Sequence, residues 1–438
     1  MRVTIFGCGL TGLVTGWALA DVGNEVLLVP CEGESAAALQ RLELDFNEPG
    51  LNDRLREQFA QGRLRISDQH DAAFRHGEVF FIALPADHQE RAERILAALA
   101  VSRDEGLTVV NQSTFPVGAA ARLRELMLLE RESRGMVNDV YFLALPSFLQ
   151  EGAAIQTFTR PKRILLGSDD EWGLRQVSEL LRPFSRNQGQ LLVMSTRAAE
   201  FTKYAINGML ATKLSFMNEM ANLADQLHVD IEQVRKGVGS DPRIGYDYIY
   251  PGCGFGGLSF SQDVMRLAAT VEAAVEDSFL LQTVLDTNEQ QKEVLFRKLW
   301  RHFDTRVEGK TFALWGAAFK PGTDRIDNAP SLQLLEALWA QGATVRIYDP
   351  KAGRQLAQRY GERADMVVCS SAYAALEGAE ALLIVTEWKE FWSPDFERMG
   401  QLLRNRVIFD GRNIYDPAYM KEIGFAYFGV GRSSEFAH

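Results

Sequence analysis

Cysteine is scarce in this chain. Cys8, Cys31, Cys253 and Cys369 are the whole complement in 438 residues, and no two of them form a CxxC pair. Such spacing gives no disulfide framework, and free thiols in a reducing cytoplasm are the expectation. No metal site is expected either. Positive charge is also short: 47 Lys and Arg stand against 58 Asp and Glu, a net charge of −11. Broad nucleic-acid binding needs a positive field and is therefore not expected, although a few local cations can still hold a phosphate-bearing small ligand. A long membrane-type run is missing as well. Val3–Ala20 carries no charge and ends in Ala18-Leu19-Ala20, which resembles a signal-peptidase site. Four glycines (Gly7, Gly9, Gly12 and Gly16) make it a poor membrane helix or signal segment. What is present is ordinary for globular protein: 46% apolar and 24% charged residues, enough chain for two or three domains.

The uncharged N-terminal run reads better as a buried strand, Val3–Phe6, followed by Gly7-Cys8-Gly9-Leu10-Thr11-Gly12 and a helix leading to Gly23. A second strand follows at Glu25–Val29. This is GxGxxG in its βαβ setting: Gly7 makes the turn, Gly9 admits a pyrophosphate, and Gly12 lets helix and strand pack. The acid that normally holds the ribose hydroxyls belongs at the end of the second strand, where the chain has Pro30, Cys31 and then Glu32. Glu32 is the substitute candidate. No arginine nearby in sequence suggests a preference for a 2′-phosphate. Further strands are expected at Val79–Leu84, Thr108–Val110, Val140–Leu143 and Arg163–Leu166, with helices between them.

Thr196–Leu227 reads as one long helix, with Lys203 and Asn207 spaced i, i+4 on one face. A second helical run is expected over Val264–Leu299. From Gly309 the opening layout repeats: a strand at Lys310–Trp315, a Gly316 turn, a helix at Ser331–Gln341, and a strand at Thr344–Tyr348 that ends on Asp349. Strands at Ala381–Val385 and Val407–Phe409 complete a second sheet. The fold class is α/β: two Rossmann-like, doubly wound domains joined by a central all-helical segment. The expected boundaries are 1–195, 196–300 and 301–438, with the middle part a connector and dimer core. Between the halves lies Tyr250-Pro251-Gly252-Cys253-Gly254-Phe255-Gly256-Gly257-Leu258-Ser259-Phe260-Ser261-Gln262-Asp263. Glycines this dense allow close backbone approach, and the helical run that follows offers free N–H groups suited to an anion.

With these parts in order, the chain resembles the UDP-glucose/GDP-mannose 6-dehydrogenase family, on its bacterial UDP-glucose side, from Met1 to about Arg432. Glu48-Pro49-Gly50-Leu51, Ser113-Thr114, Phe148-Leu149-Gln150-Glu151-Gly152, Lys203 with Asn207, and Arg243-Ile244-Gly245 carry the likeness. So do Ala318-Phe319-Lys320-Pro321, Thr386-Glu387-Trp388 and Asp410-Gly411-Arg412-Asn413-Ile414-Tyr415-Asp416-Pro417. The resemblance implies oxidation of a sugar C6 alcohol to a carboxylate by two hydride transfers to NAD, through a cysteine thiohemiacetal and thioester. It also implies a cytoplasmic homodimer. Carried over by position, Ser259, Lys203, Asn207, Asp263, Thr114 and Glu151 fall on catalytic positions. Phe148, Leu149, Arg243, Tyr248, Gly252, Gly256, Lys320 and Arg412 fall on the UDP-sugar side, and Gly7, Gly9, Gly12 and Glu32 on the cofactor side.

The chain departs from the pattern at specific places. The family loop reads GFGGSCFPKD or close to it, so Ser259 stands at the cysteine and Gln262 at the lysine. Cys253 replaces a proline and is the alternative nucleophile. Ser147 stands at a glutamate, Gln112 at a lysine, and Asp327 at an arginine that grips the cofactor phosphates. Leu84-Pro85-Ala86-Asp87 lacks the family's Gly-Thr-Pro. Because these changes fall on the cofactor and the chemistry while the sugar-nucleotide side is kept, two readings stay open. One is a dehydrogenase with impaired full oxidation; the other is a non-catalytic UDP-sugar binder.

Overall fold

The computed structural model describes residues 1–186, 189–275 and 278–433. Contacts divide the chain into two compact units, 1–205 and 206–438. The first unit holds an eight-stranded sheet: β1 (Arg2–Phe6), β2 (Glu25–Val29), β3 (Leu64–Ile66), β4 (Val79–Ile82), β5 (Leu107–Asn111), β6 (Val140–Ala144), β7 (Ile164–Ser168) and β8 (Leu191–Met194). Their spatial order is β3-β2-β1-β4-β5-β6-β7-β8, parallel throughout except between β6 and β7. Strands such as β4 and β5 are buried at every position, as parallel sheets covered on both faces require. Trp17, fully buried on the first helix (Leu10–Asp21), packs in the core on one face of the sheet, while Phe6 and Phe80 fill the core on the other.

In the second unit β9 (Thr311–Trp315), β10 (Thr344–Tyr348), β11 (Met366–Val368), β12 (Leu382–Ile384), β13 (Val407–Asp410) and β14 (Ala426–Gly429) form an all-parallel sheet, ordered β11-β10-β9-β12-β13-β14. Helices precede it: the greater part of Thr196–Leu227, then Ile231–Ser240, Leu258–Ala274, Leu280–Lys292 and Val294–His302. The α/β class with two parallel sheets and a helical middle is therefore observed. The helix Thr196–Leu227 has the expected ends. The single run expected over Val264–Leu299 is instead three helices, the first starting early enough to include Ser259. No proline marks the break at Glu293 (φ −87°, ψ −4°), which caps the end of one helix and the start of the next. No helix among the described residues is long and apolar enough to cross a membrane.

Each sheet reverses strand order beside its first strand, between β1 and β4 and between β9 and β12. Ligands in open α/β sheets bind outside the carboxyl ends of the strands at that switch point. This places the functional search at Gly7 and Leu84 in the first unit, and at Gly316 and Thr386 in the second.

Candidate functional site

The first switch point is built as a phosphate cradle. Gly7 continues the β1–β2 ladder by donating to the Val29 carbonyl at 2.8 Å and turns the chain with φ +114°. A side chain on Gly12 would collide with the Gly7 carbonyl, so the helix approaches only because that position is glycine. Around Gly9, by contrast, a Cβ would meet nothing within 4 Å. Gly9 caps the helix with no side-chain bond, leaving the first N–H groups of Leu10–Asp21 open to an anion. Cys8 and Cys31 are both buried here. Burial pushes the Cys8 thiol well up and the Cys31 thiol to about 11, so both are neutral packing groups.

The second switch point has the same layout and the opposite state. Asp349, at the end of β10, turns its carboxylate into its own glycine turn. Oδ2 accepts from the N–H of Ala317 at 2.7 Å, of Ala318 at 2.9 Å and from Trp388 Nε1 at 3.1 Å. Oδ1 accepts from Lys351 and Ala352, both at 2.8 Å. The acid that the sequence repeat supplies here, and that the first copy lacks, fills the place a phosphate would take.

Thr114 and Lys203 of the first unit share a cleft. Asn111, Ser113, Thr114, Phe115, Ala144, Pro146, Glu200, Lys203 and Tyr204 line one small cleft at the ends of β5 and β6. Lys203 Nζ donates to the Ser147 carbonyl at 2.7 Å and lies 4.8 Å from the Phe148 ring. Glu200, one helical turn earlier and buried, accepts from the N–H of Gly118 (2.7 Å) and Ala120 (2.8 Å), capping the helix Ala119–Ser133. Burial raises its carboxyl above the ordinary value, outweighing those two bonds. Leu149 packs against the core, and Glu151 lies in the turn before the helix Ala154–Thr159. That turn is fixed by Glu48, whose carboxylate accepts from Gly152 (2.6 Å) and Ala154 (2.8 Å). Glu32 is exposed on the loop after β2.

In the second unit the glycine loop is gripped from several sides. Gly252 N–H donates to Asn218 Oδ1 (2.8 Å), while Gln291 Nε2 donates to the Gly252 carbonyl (2.7 Å). Asn288 bonds both the N–H and the carbonyl of Phe255. A Cβ on Gly256 would sit 2.9 Å from the Asn328 carbonyl carbon, and one on Gly257 (φ +92°) 2.8 Å from the Phe319 ring. Lys292, buried, donates to Asn328 Oδ1 at 2.6 Å, and Asn328 Nδ2 donates to Ser261 Oγ at 2.9 Å. Arg412 holds the far side: Nε donates to the Val385 carbonyl (2.7 Å) and Nη1 to that of Gly254 (3.3 Å), with Glu387 at 3.3 Å.

On this frame Asn207 Nδ2 donates to Asp263 Oδ2 at 2.8 Å, both buried. Ser259 is exposed, the second residue of the helix Leu258–Ala274, and its hydroxyl makes no hydrogen bond among the described residues. Cys253 faces inward: its Sγ lies 3.9 Å from the Val385 carbonyl, and a Cβ on Gly411 would lie 2.7 Å from it. Burial raises its thiol. Lys320 lies over the Phe319 ring at 5.5 Å. Arg243 and Tyr248 are not gathered with these groups by any contact described. Arg243 is 86% exposed and pairs with Asp241 at 2.6 Å; Tyr248 sits at φ +60°. Glu48, Glu200, Asn218, Asn288, Lys292 and Asn328 escape sequence reading as site builders, because each works through a partner far along the chain: backbone atoms for the first four, side chains for Lys292 and Asn328. Among the described residues no cluster of His, Cys, Asp and Glu is suited to a metal.

Two parallel sheets with ligand crevices at their switch points, one an open phosphate cradle, define a nucleotide-handling α/β protein. The chain belongs to the UDP-glucose/GDP-mannose dehydrogenase family: it matches the family's NAD binding domain over residues 1–185, its central domain over 197–290 and its UDP binding domain over 313–417. It is 44% identical to a UDP-glucose 6-dehydrogenase of Pseudomonas aeruginosa, covering 99% of this chain and 98% of that protein. It is 34% identical to one of Rhizobium meliloti, covering 99% and 100%. Among solved structures, a UDP-glucose dehydrogenase of Pyrobaculum islandicum superposes with TM-score 0.87 at 27% identity, covering 98% of each chain. A UDP-D-ManNAc dehydrogenase of Pyrococcus horikoshii gives 0.83 at 25%, covering 99% of each. The open turn at Gly7–Gly12 fits the pyrophosphate of NAD; the Asp349-filled turn does not fit a second dinucleotide.

Proposed function

We propose that this protein binds a UDP-sugar and acts on its C6 alcohol with full oxidation to the carboxylate impaired. The observation that carries the reading is the state of the loop 252–263. Ser259 stands exposed, its hydroxyl without a hydrogen-bond partner among the described residues, and the thiol that the loop does carry, on Cys253, is buried and raised in pKa by that burial. A serine hydroxyl needs an adjacent base to attack a carbonyl, and a thiol needs access and a lowered pKa. NAD, when bound, supplies the hydride acceptor. Gly7, Gly9, Gly12 and Glu32 are the residues proposed to hold it.

Thr114, Lys203, Asn207, Asp263 and Glu151 are assigned to positioning water and stabilising negative charge at C6. Phe148, Leu149, Tyr248, Gly252 and Gly256 are assigned to shaping the sugar-nucleotide site. Arg243, Lys320 and Arg412 are assigned to its charges. Arg412 has a structural duty as well, since it ties the loop to the end of β12. The proposed organisation is an N-terminal dinucleotide domain (1–195), a central dimerisation domain (196–300) and a C-terminal UDP-sugar domain (301–438), as a cytoplasmic homodimer. A non-catalytic UDP-sugar binder is the second reading, favoured by a serine, with no hydrogen-bond partner among the described residues, at the position where the family loop has its cysteine.

Two measurements test this. Reduced cofactor is counted per UDP-glucose at high protein concentration: two equivalents overturn the impairment, one supports an alcohol-to-aldehyde step, and none supports the binder. Thermal shift with UDP-glucose alone must show stabilisation, since a ligand that binds only the folded state raises its melting temperature. No shift with any UDP-sugar overturns both readings.

A further inference from the structure

The residues assigned to the sugar C6 have a second cation beside them. β6 and β7 pair antiparallel, Leu143 with Ser168 and Ala144 with Gly167. The same register, carried on past Ala144, sets Phe148 opposite Arg163, and the Arg163 Cζ lies 6.0 Å from the Phe148 ring centre. Lys203 Nζ lies 4.8 Å from the same ring and is held by the Ser147 carbonyl at 2.7 Å. Two cations thus share one aromatic ring. Arg163 is exposed and, among the described residues, makes no hydrogen bond or ion pair, so its guanidinium is uncommitted. Arg160 and Lys162, in the same segment, are exposed as well.

The acids of this region do not cancel that charge. Glu48 accepts from the N–H groups of Gly152 and Ala154, and Glu200 from those of Gly118 and Ala120, with burial raising the Glu200 carboxyl. Glu151 belongs to the stretch that matches the family, so it sets no difference from it. The residue that differs is Ser147, which stands where the family has a glutamate. One negative charge has gone from a wall whose cations stay. A C6 alcohol gains little from such a wall, since a hydroxyl brings a dipole and no charge. A C6 carboxylate brings a full charge and two acceptor oxygens, which a guanidinium matches with two parallel bonds. A glutamate at position 147 would repel that carboxylate; a serine does not.

We infer that Ser147, Phe148, Arg163 and Lys203 select a UDP-sugar that already carries a carboxylate at C6, a UDP-uronate, over the C6 alcohol. This rests on the reading of the site as one for a UDP-sugar, and names the class of sugar it holds most tightly. A dehydrogenase built this way retains its own product. A non-catalytic binder built this way takes the product of another enzyme's oxidation as its ligand.

The test is binding of UDP-glucuronate, UDP-glucose and UDP to the full-length protein, by calorimetry. UDP-glucuronate is expected to bind at least about tenfold more tightly than UDP-glucose, the scale of one charge-assisted contact. That preference should shrink from low to high salt. Arg163→Ala, which removes no hydrogen bond or ion pair, should melt with the parent and lose most of the preference. Ser147→Glu, an independent change, should reverse it. Equal or tighter binding of UDP-glucose overturns the uronate selectivity and leaves the UDP-sugar site standing. UDP alone binding as tightly as UDP-glucuronate overturns it too, because the sugar end then adds nothing. A preference that survives Arg163→Ala together with Ser147→Glu overturns the assignment to these residues. Binding of none of the three overturns the UDP-sugar reading as well.

Discussion

Replacing Asp349 should strongly destabilise the second unit. Its carboxylate receives five donors and is only 8% exposed. A buried donor left without a partner costs about 1–3 kcal/mol. Asp349→Ala orphans all five; water entering the vacated volume satisfies some, so about 4–5 kcal/mol is expected, at the upper end for a point change. Asp349→Asn keeps one oxygen for Lys351 and Ala352 but turns an NH2 toward Ala317, Ala318 and Trp388. Three donors then face a donor, and about 2–4 kcal/mol is lost. At roughly 2–4 °C per kcal/mol, the alanine variant should melt about 10 °C lower. Thermal unfolding by circular dichroism reads this out, once in phosphate and once in a buffer without oxyanions. Phosphate should raise the melting temperature of Asp349→Ala more than that of the parent, because only the variant has an open turn in the second unit as well as at Gly7–Gly12. Should the asparagine variant melt within about 1 °C of the parent, the self-filled turn is not what holds these amides, and the contrast between the two switch points fails.

Glu200 sets a pH dependence. Its folded-state pKa is raised by burial, so its stabilising contribution is full below the ordinary value of 4.5 and is lost as pH rises through the raised value. Relative to Glu200→Gln, the parent should gain stability as pH falls through that window; a constant difference in urea midpoint would contradict it. Gly257→Ala forces φ +92° on a residue with a Cβ facing Phe319, and should cost about 1–3 kcal/mol and weaken UDP-glucose binding in the same titration. Ser259→Cys places a thiol in the exposed first turn of a helix, where thiolate is favoured. Iodoacetamide followed by mass mapping should modify it well before Cys369, and an unlabelled residue 259 would refute its exposure.

Much of the fold is legible in the residues. β2, β10 and the helix Thr196–Leu227 have the expected bounds, because the strand-favouring segments EVLLV and TVRIY follow glycine-bearing turns and a proline-free helical period leaves little alternative. The four strands that escape reading are β3, β8, β11 and β14, and all four are sheet edges. An edge strand has one partner and needs only three or four residues, so LRI, LLVM, MVV and AYFG carry too little pattern to stand out. The cradle at Gly7–Gly12 is readable since every part is local. Arg91 beside Pro30, Glu48 beneath Gly152 and Lys292 behind Ser261 are not, since only the folded chain brings them together. The pairing of Asp349 with its own turn shows the opposite hazard: the repeat correctly supplies an acid at the strand end, and the same local geometry lets that acid bond its own backbone.

The burial of Cys8, Cys31 and Cys253, with Cys369 half-buried at a sheet edge, bears on survival under oxidative stress. Peroxide attacks thiolates that are exposed and easily deprotonated. An enzyme that works through such a sulfur is silenced by the first equivalent. Here a hydroxyl stands at the exposed turn and the three thiols nearest the ligand sites, Cys8, Cys31 and Cys253, are buried, so those sites should outlast oxidant bursts that would disable a thiol-dependent relative.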